Sequence, residues 1–204
     1  MDIQSSPGLT RPKSRQPRPP SARIMFRGRV FQVWQWDQTL FDGTTAVFET
    51  LSRPDTVLVI PVLGGDQVVL AEETQPGMDP VLHALGGGIK PGEPPEKAAA
   101  RELLEESGYA AAEFRLWDAW QPVDKIDWAV YLYVAHGIIG QPTPASNPGE
   151  RIALRTLPAA ALLAGDLEHR LDDQELLQKI WFARYNLREE QRVRRLLDPQ
   201  AFPG

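Results

Sequence analysis

Three glutamates, Glu102, Glu105 and Glu106, stand at i, i+3 and i+4 in a stretch rich in helix formers. On a helix that spacing turns all three carboxylates to one face. Like charges on neighbouring turns repel by about a few tenths of a kcal/mol per exposed pair, and no Lys at i+4 dilutes them. Carboxylate oxygens are what hard divalent cations take, and Mg²⁺ is held by a few of them together with waters and substrate phosphates. A solvated acidic helix face is the competing reading, and three glutamates by themselves leave it open.

The elements that must position these acids are a loop and a helix. Pro94 and Pro95 suit a first helical turn, where a missing N–H is no loss. Gly108 suits the residue after the last turn, since glycine adopts the left-handed conformation without strain. The spacing predicts that Ala100, Leu103 and Leu104 face a core, and that Ala98 and Ala99 lie on the acidic face one turn earlier, leaving room for a ligand. Ahead of the helix, Gly86-Gly87-Gly88 is a loop whose backbone can approach a ligand closely.

Taken together, Gly87, five residues, Glu93, seven residues, Arg101-Glu102-Leu103, one residue, Glu105-Glu106, one residue and Gly108 resemble the Nudix box of the Nudix hydrolase family. Tyr109 stands where an aliphatic residue is usual, and Lys90 where many members carry an acid. The resemblance implies hydrolysis of a nucleoside diphosphate linked to another group, most like the ADP-ribose and nucleotide-sugar pyrophosphatases. It implies Mg²⁺, with Mn²⁺ able to replace it, held by Glu102 and Glu106 with Glu105 beside them and the Gly86 carbonyl as a backbone ligand. Arg101 is expected to buttress the catalytic carboxylates, with Glu93 as its partner. A late-loop glutamate, Glu150, is the expected general base, and Glu105 is the second candidate. For substrate contact the candidates are Arg53, Lys125, Gly87 in the glycine loop, and Trp34 as a base-stacking ring. Gln75 and Asp124 depart from the branch, at places where some of its members have arginine and proline. Two other functions stay open: cleavage of nucleoside triphosphates or dinucleoside polyphosphates, and a Nudix-fold module that binds a nucleotide without hydrolysing it.

The whole chain sets bounds on these expectations. Its 204 residues suffice for one well-buried domain with an elaboration. A net charge of −5 argues against a nucleic-acid-coating surface, and the absence of cysteine excludes disulfides, thiolate metal sites and a cysteine nucleophile. No apolar run approaches a membrane span and no hydrophobic signal region opens the chain, so a cytoplasmic protein acting on a small nucleotide is expected.

Residues 1–22, rich in Pro, Ser and Arg, predict a flexible basic tail. Residues 23–52 alternate polar and apolar side chains around Asp42-Gly43, which predicts a small antiparallel β unit. Its apolar residues, among them Trp36 and Phe48, suggest a dimerisation element, as in the resembling pyrophosphatases. Residues 53–200 hold the remainder, in which Thr56–Leu63 reads as a strand buried on both faces. His83 is expected as a packed strand residue, and Glu113–Trp120 and Ile126–Ala135 as strands after the helix. Asp172-Asp173 would cap a long helix with Leu176, Leu177, Ile180 and Trp181 turned inward. The fold class expected is α/β (α+β), a Nudix-type α/β/α sandwich with a mixed sheet behind the β unit.

Overall fold

The computed structural model describes residues 9–64, 66–143, 146–147, 149–164, 167 and 170–198. In chain order the strands are β1 (Arg23–Arg27), β2 (Gln32–Thr39), β3 (Thr45–Ser52), β4 (Thr56–Leu63), β5 (Gln67–Thr74), β6 (Val81–His83), β7 (Leu85–Gly88), β8 (Tyr109–Ala110), β9 (Glu113–Trp120), β10 (Ile126–Asp127), β11 (Val130–His136), β12 (Ile139–Gly140), β13 (Ser146–Asn147) and β14 (Glu150–Pro158). The helices are α1 (Pro95–Ser107), α2 (Ala159–Ala164), α3 (Gln174–Tyr185) and α4 (Leu187–Leu197). They fall into two compact units, residues 1–56 with 119–130, and 57–118 with 131–204. Mixed sheets with a few helices make the protein α+β, as the sequence predicts. Among the described residues no helix is long and apolar enough to cross a membrane.

The first unit is a four-stranded sheet in the order β1-β2-β3-β10. Thr39 pairs with Thr45 at the head of the β2–β3 hairpin. There Asp42 Oδ1 accepts from the Thr44 amide at 2.9 Å and Gly43 takes φ +84°, so the Asp-Gly signal acts through an Asx turn within a longer loop. β10 adds in parallel beside β3, with Ile126 opposite Leu51. The second post-helix strand of the sequence reading is therefore two, β10 and β11. The break is fixed by hydrogen bonds: Gln121 Oε1 accepts from the Trp128 amide at 2.9 Å, and Asp55 Oδ1 from the Ala129 amide at 2.8 Å.

Of the segment expected as a flexible tail, residues 1–8 lie outside the described residues, whereas residues 9–22 are laid onto this unit. Arg11 pairs with Asp55 at 2.7 Å and with Asp127 at 2.9 Å, and Arg18 with Asp127 at 2.6 Å. Gln121 Nε2 donates to the Pro12 carbonyl at 3.0 Å. Composition predicts little apolar burial here; the anchors are ionic.

The second unit carries a sheet in the order β13-β14-β5-β4-β11-β9, with β6 on β5 and β7 on β4. β11 is buried at every position and β4 at all but its ends, as strands covered on both faces must be. On α1 the stripe that faces the core is Ala98, Ala99, Leu103 and Ser107. That overturns two expectations: Ala98 and Ala99 are fully buried rather than open beside the acids, and Leu104 is 55 % exposed. Small alanines let the helix backbone sit close to the sheet, which rotates Glu102 and Glu106 partly inward. Ser107 is tolerated in the core because its hydroxyl donates to the Leu103 carbonyl at 2.5 Å. The C-terminal helix is two helices, broken at Asn186, whose side chain accepts from the Glu189 amide. Leu176, Leu177 and Ile180 are buried, but Trp181 is 44 % exposed, since Ala183 completes the inward stripe instead.

Candidate active site

The loop formed by β7 and the residues after it is held to α1 by a single cation. Arg101 Nε and Nη2 grip both oxygens of Glu93 at 2.8 Å each, a two-point carboxylate clamp. Its Nη2 also reaches the Gly88 carbonyl at 3.1 Å, while Nη1 donates to Glu102 at 2.6 Å and Glu105 at 3.1 Å. Glu93 also accepts from the Lys90 amide at 2.9 Å. The Arg101 guanidinium, aided by that amide, holds the Glu93 carboxyl well below the usual range, at about 2. One guanidinium thus fixes the loop and sets the orientation of two of the three clustered acids.

The trio is not equivalent. Glu105 keeps 54 % of its side-chain exposure and Glu102 keeps 12 %. Glu106 is largely buried and accepts from the Gly86 amide at 2.8 Å. Burial, reinforced by the negative charges of Glu102, Glu150 and Glu73, pushes the Glu106 carboxyl up to about 8, against the Gly86 hydrogen bond that favours ionisation. His83 on β6 lies 3.0 Å from Glu73, and its Nδ1 is 2.8 Å from the Ala84 carbonyl.

The glycines are demanded by close approach. A Cβ at Gly86 would lie 2.1 Å from the Val57 carbonyl oxygen, which nothing in the backbone can accommodate. A Cβ at Gly87 would fall 2.6 Å from a carboxylate oxygen of Glu102. Gly108, at φ +76°, ends α1 by donating its amide to the Leu104 carbonyl. The glycine loop is therefore pressed directly against the carboxylates.

Among the described residues no three His, Asp or Glu side chains converge tightly enough to cage a metal ion alone. A cation here would need backbone, water or substrate oxygens to complete its shell, as Mg²⁺ sites do. The donor set fits such an ion. Glu106 is a largely buried carboxylate among other acids, with the Gly86 backbone bonded to it, and its ionised form is what a divalent cation would restore.

The remaining expected residues belong to the first unit. Arg53 stacks against Trp128 at 4.4 Å and Phe31 at 5.6 Å. Trp34 donates its Nε1 to Ser52 at 2.9 Å and carries Arg18 over its ring at 4.3 Å, so a cation already stacks on the ring expected to stack a base. Lys125 has an exposed side chain and φ +64°; its carbonyl accepts from the Leu51 amide and the Thr50 hydroxyl.

Two residues of the second unit were missed in the sequence. Glu73 adds its charge to the field at Glu106. Asp173 does stand at the N-cap of α3, as read, but its carboxylate leaves the helix uncapped and accepts from the Ala84 amide at 2.5 Å, two residues before Gly86. Burial pushes Asp173 up to about 6. No local pattern marks either, because their partners are remote in sequence.

Comparison with known proteins agrees with this geometry. The NUDIX domain family matches residues 52–180, well over half of the chain. The chain is 31 % identical over 117 residues to the methanol dehydrogenase activator of Bacillus methanolicus, a match spanning 56 % of this chain and 63 % of that protein. It is 28 % identical over 88 residues to the ADP-ribose pyrophosphatase of Bacillus subtilis (strain 168), spanning 43 % of this chain and 48 % of that one. The matches thus span about half to three-fifths of these relatives' length. A solved structure described as an ADP compounds hydrolase superposes with a TM-score of 0.67 at 23 % identity, covering 92 % of this chain and all of the other. That likeness shows a shared fold. A loop clamped to a carboxylate-bearing helix, on this sheet and with this family match, places the chain in the Nudix family.

Proposed function

We propose that this protein is a Mg²⁺-dependent hydrolase of the pyrophosphate bond in a nucleoside diphosphate linked to another group, of the ADP-ribose or nucleotide-sugar type. The products are a nucleoside monophosphate and a sugar phosphate. The observation that carries the reading is Glu106: a largely buried carboxylate, surrounded by three further acids and bonded to the Gly86 loop. The family match and the kinship to an ADP-ribose pyrophosphatase support the substrate class.

Glu102, Glu106 and the Gly86 carbonyl would hold the cation, with Glu105 at the edge of the group. Bound there, Mg²⁺ or Mn²⁺ supplies charge neutralisation at the pyrophosphate oxygens. Arg101 keeps Glu102 and Glu105 oriented and carries no proton in the reaction. Glu150 is proposed as the general base; it takes a proton from the water whose oxygen bonds to phosphorus, as the bridging P–O bond breaks and its electron pair leaves with the second phosphate. The charge of Glu150 reaches Glu106, which supports placing it at the site, and Glu105 is the second candidate for the base. On the first unit Arg53 and Lys125 are the proposed phosphate-recognising cations.

We also propose a homodimer. The first unit leaves Met25 and Phe26 each 60 % exposed and Val47 64 % exposed, apolar surface that a second copy of the sheet would cover.

Incubation with ADP-ribose and Mg²⁺, followed by chromatography, tests the activity. AMP and ribose 5-phosphate are expected. If ADP-ribose and nucleotide sugars stay intact while a nucleoside triphosphate is turned over efficiently, the substrate class proposed here is wrong.

A further inference from the structure

Ala84 lies where the chain ahead of the acidic helix changes partners within its sheet. β6, just before it, pairs with β5, and β7, just after it, pairs with β4. Ala84 itself belongs to neither strand and is 1 % exposed, so its peptide groups need partners from within the protein. Side chains supply them. Asp173 accepts from the Ala84 amide at 2.5 Å, and His83 Nδ1 lies 2.8 Å from the Ala84 carbonyl.

Asp173 arrives from a segment that runs beside β6. The Leu82 amide donates to the Arg170 carbonyl at 2.9 Å, and the Asp172 amide donates to the Leu82 carbonyl at 2.8 Å, which makes a parallel bridge between Leu82 and Leu171. The next rung of such a ladder would run from the Ala84 amide to the Asp172 carbonyl. Here the chain turns into α3, and the Asp173 carboxylate takes that rung. The helix gives something up for it. Aspartate is among the best N-cap residues, yet at the N-cap of α3 its side chain makes no capping hydrogen bond.

Two residues beyond Ala84, the Gly86 amide donates to Glu106 at 2.8 Å. Between these two held amides Leu85 is fully buried. The stretch ending at Gly86 is therefore fixed from α3 at one end and from α1 at the other.

We propose, on the reading that Glu102 and Glu106 hold a cation, that Asp173 is a positioning residue for that site. It holds the Ala84 peptide so that the Gly86 carbonyl, two residues on, is presented to the ion. It acts through the backbone and is not itself a ligand. A partner one step removed from a metal ligand typically governs about 10–100-fold in metal affinity.

Mn²⁺ binding to the full chain, followed by the electron paramagnetic resonance of the free ion, tests this without substrate or turnover. Asp173→Ser separates positioning from capping, since serine caps helices well but its hydroxyl is one bond shorter than the carboxylate that meets Ala84. The expected result is a melting temperature near the parent's with a Mn²⁺ affinity about tenfold lower. Asp173→Asn keeps an acceptor of the same reach and should bind Mn²⁺ as the parent does. Unchanged affinity in Asp173→Ser overturns the proposal. So does an Asp173→Asn chain as weak as Asp173→Ser, which makes charge rather than the held peptide the cause. Loss of a cooperative melt in Asp173→Ser assigns the contact to the fold and overturns it likewise. No Mn²⁺ binding by the parent is a separate result, which overturns the cation site itself and this role with it.

Discussion

At the residue scale the chemistry turns on how differently three adjacent glutamates are treated. Glu106 is buried on a glycine amide, Glu102 is drawn to Arg101, and Glu105 stays in solvent. Glu106→Gln keeps the volume and removes a proposed metal ligand. Its kcat should fall by about two to three orders of magnitude with the fold retained, as loss of a transition-state electrostatic group does; near-normal turnover in Mg²⁺ would remove Glu106 from the site. The raised carboxyl also fixes a sign. Above about 8 it is ionised in both folded and unfolded states, and the burial penalty is fully present. As pH falls from about 8 toward the ordinary carboxylate value, only the folded form holds the proton, so stability should rise. Thermal melts in chelator across that window should show the rise in the parent and a flatter profile in Glu106→Gln. Gly86→Ala should fail to fold or lose activity altogether, because its methyl would enter the Val57 carbonyl. The order of glycines and acids was legible in the sequence, since box chemistry is local. Their depth was not, because burial depends on which side of α1 the sheet takes, and Ala98 and Ala99 decided that.

At the element scale the N-terminal segment behaves as an ionic strap. Its prolines and arginines read as solvated because their partners, Asp55 and Asp127, are remote in sequence and no periodicity announces them. Surface ion pairs contribute only about 0–1 kcal/mol each, but Asp127 and Asp55 are mostly buried and also serve the fold. Removing residues 1–21 should therefore lower the melting temperature by about 2–4 °C, the shift expected for about 1 kcal/mol in a chain of this size. A truncated chain that melts with the parent would mean the strap contributes nothing to stability. The helical elements show the complementary lesson. The stripe Leu176, Leu177 and Ile180 was readable from its spacing, whereas Trp181 was misplaced because hydrophobicity by itself does not say where a stripe ends.

For the whole molecule, fold class and family were accessible from the box and the alternation of strands; assembly and substrate were not, since both depend on surfaces. If the exposed apolar residues of the first unit meet a second copy, light scattering at micromolar concentration should report twice the chain mass, and Val47→Glu should halve it. A monomer in the parent would remove the dimer. One feature of that unit bears on how the protein is made. β10 lies beside β3, yet it is encoded after β4 to β9 and the entire acidic helix. A ribosome adding about 5–20 residues per second delivers the hairpin and then withholds the neighbouring strand for several seconds. During that interval the second unit's first strands and α1 emerge, while the edge of β3 is unpaired and open to the wrong strand. Excising residues 1–56 as a domain would freeze the chain in that unfinished state. Any autonomous fragment of the first unit has to carry the later stretch through Val130 as well.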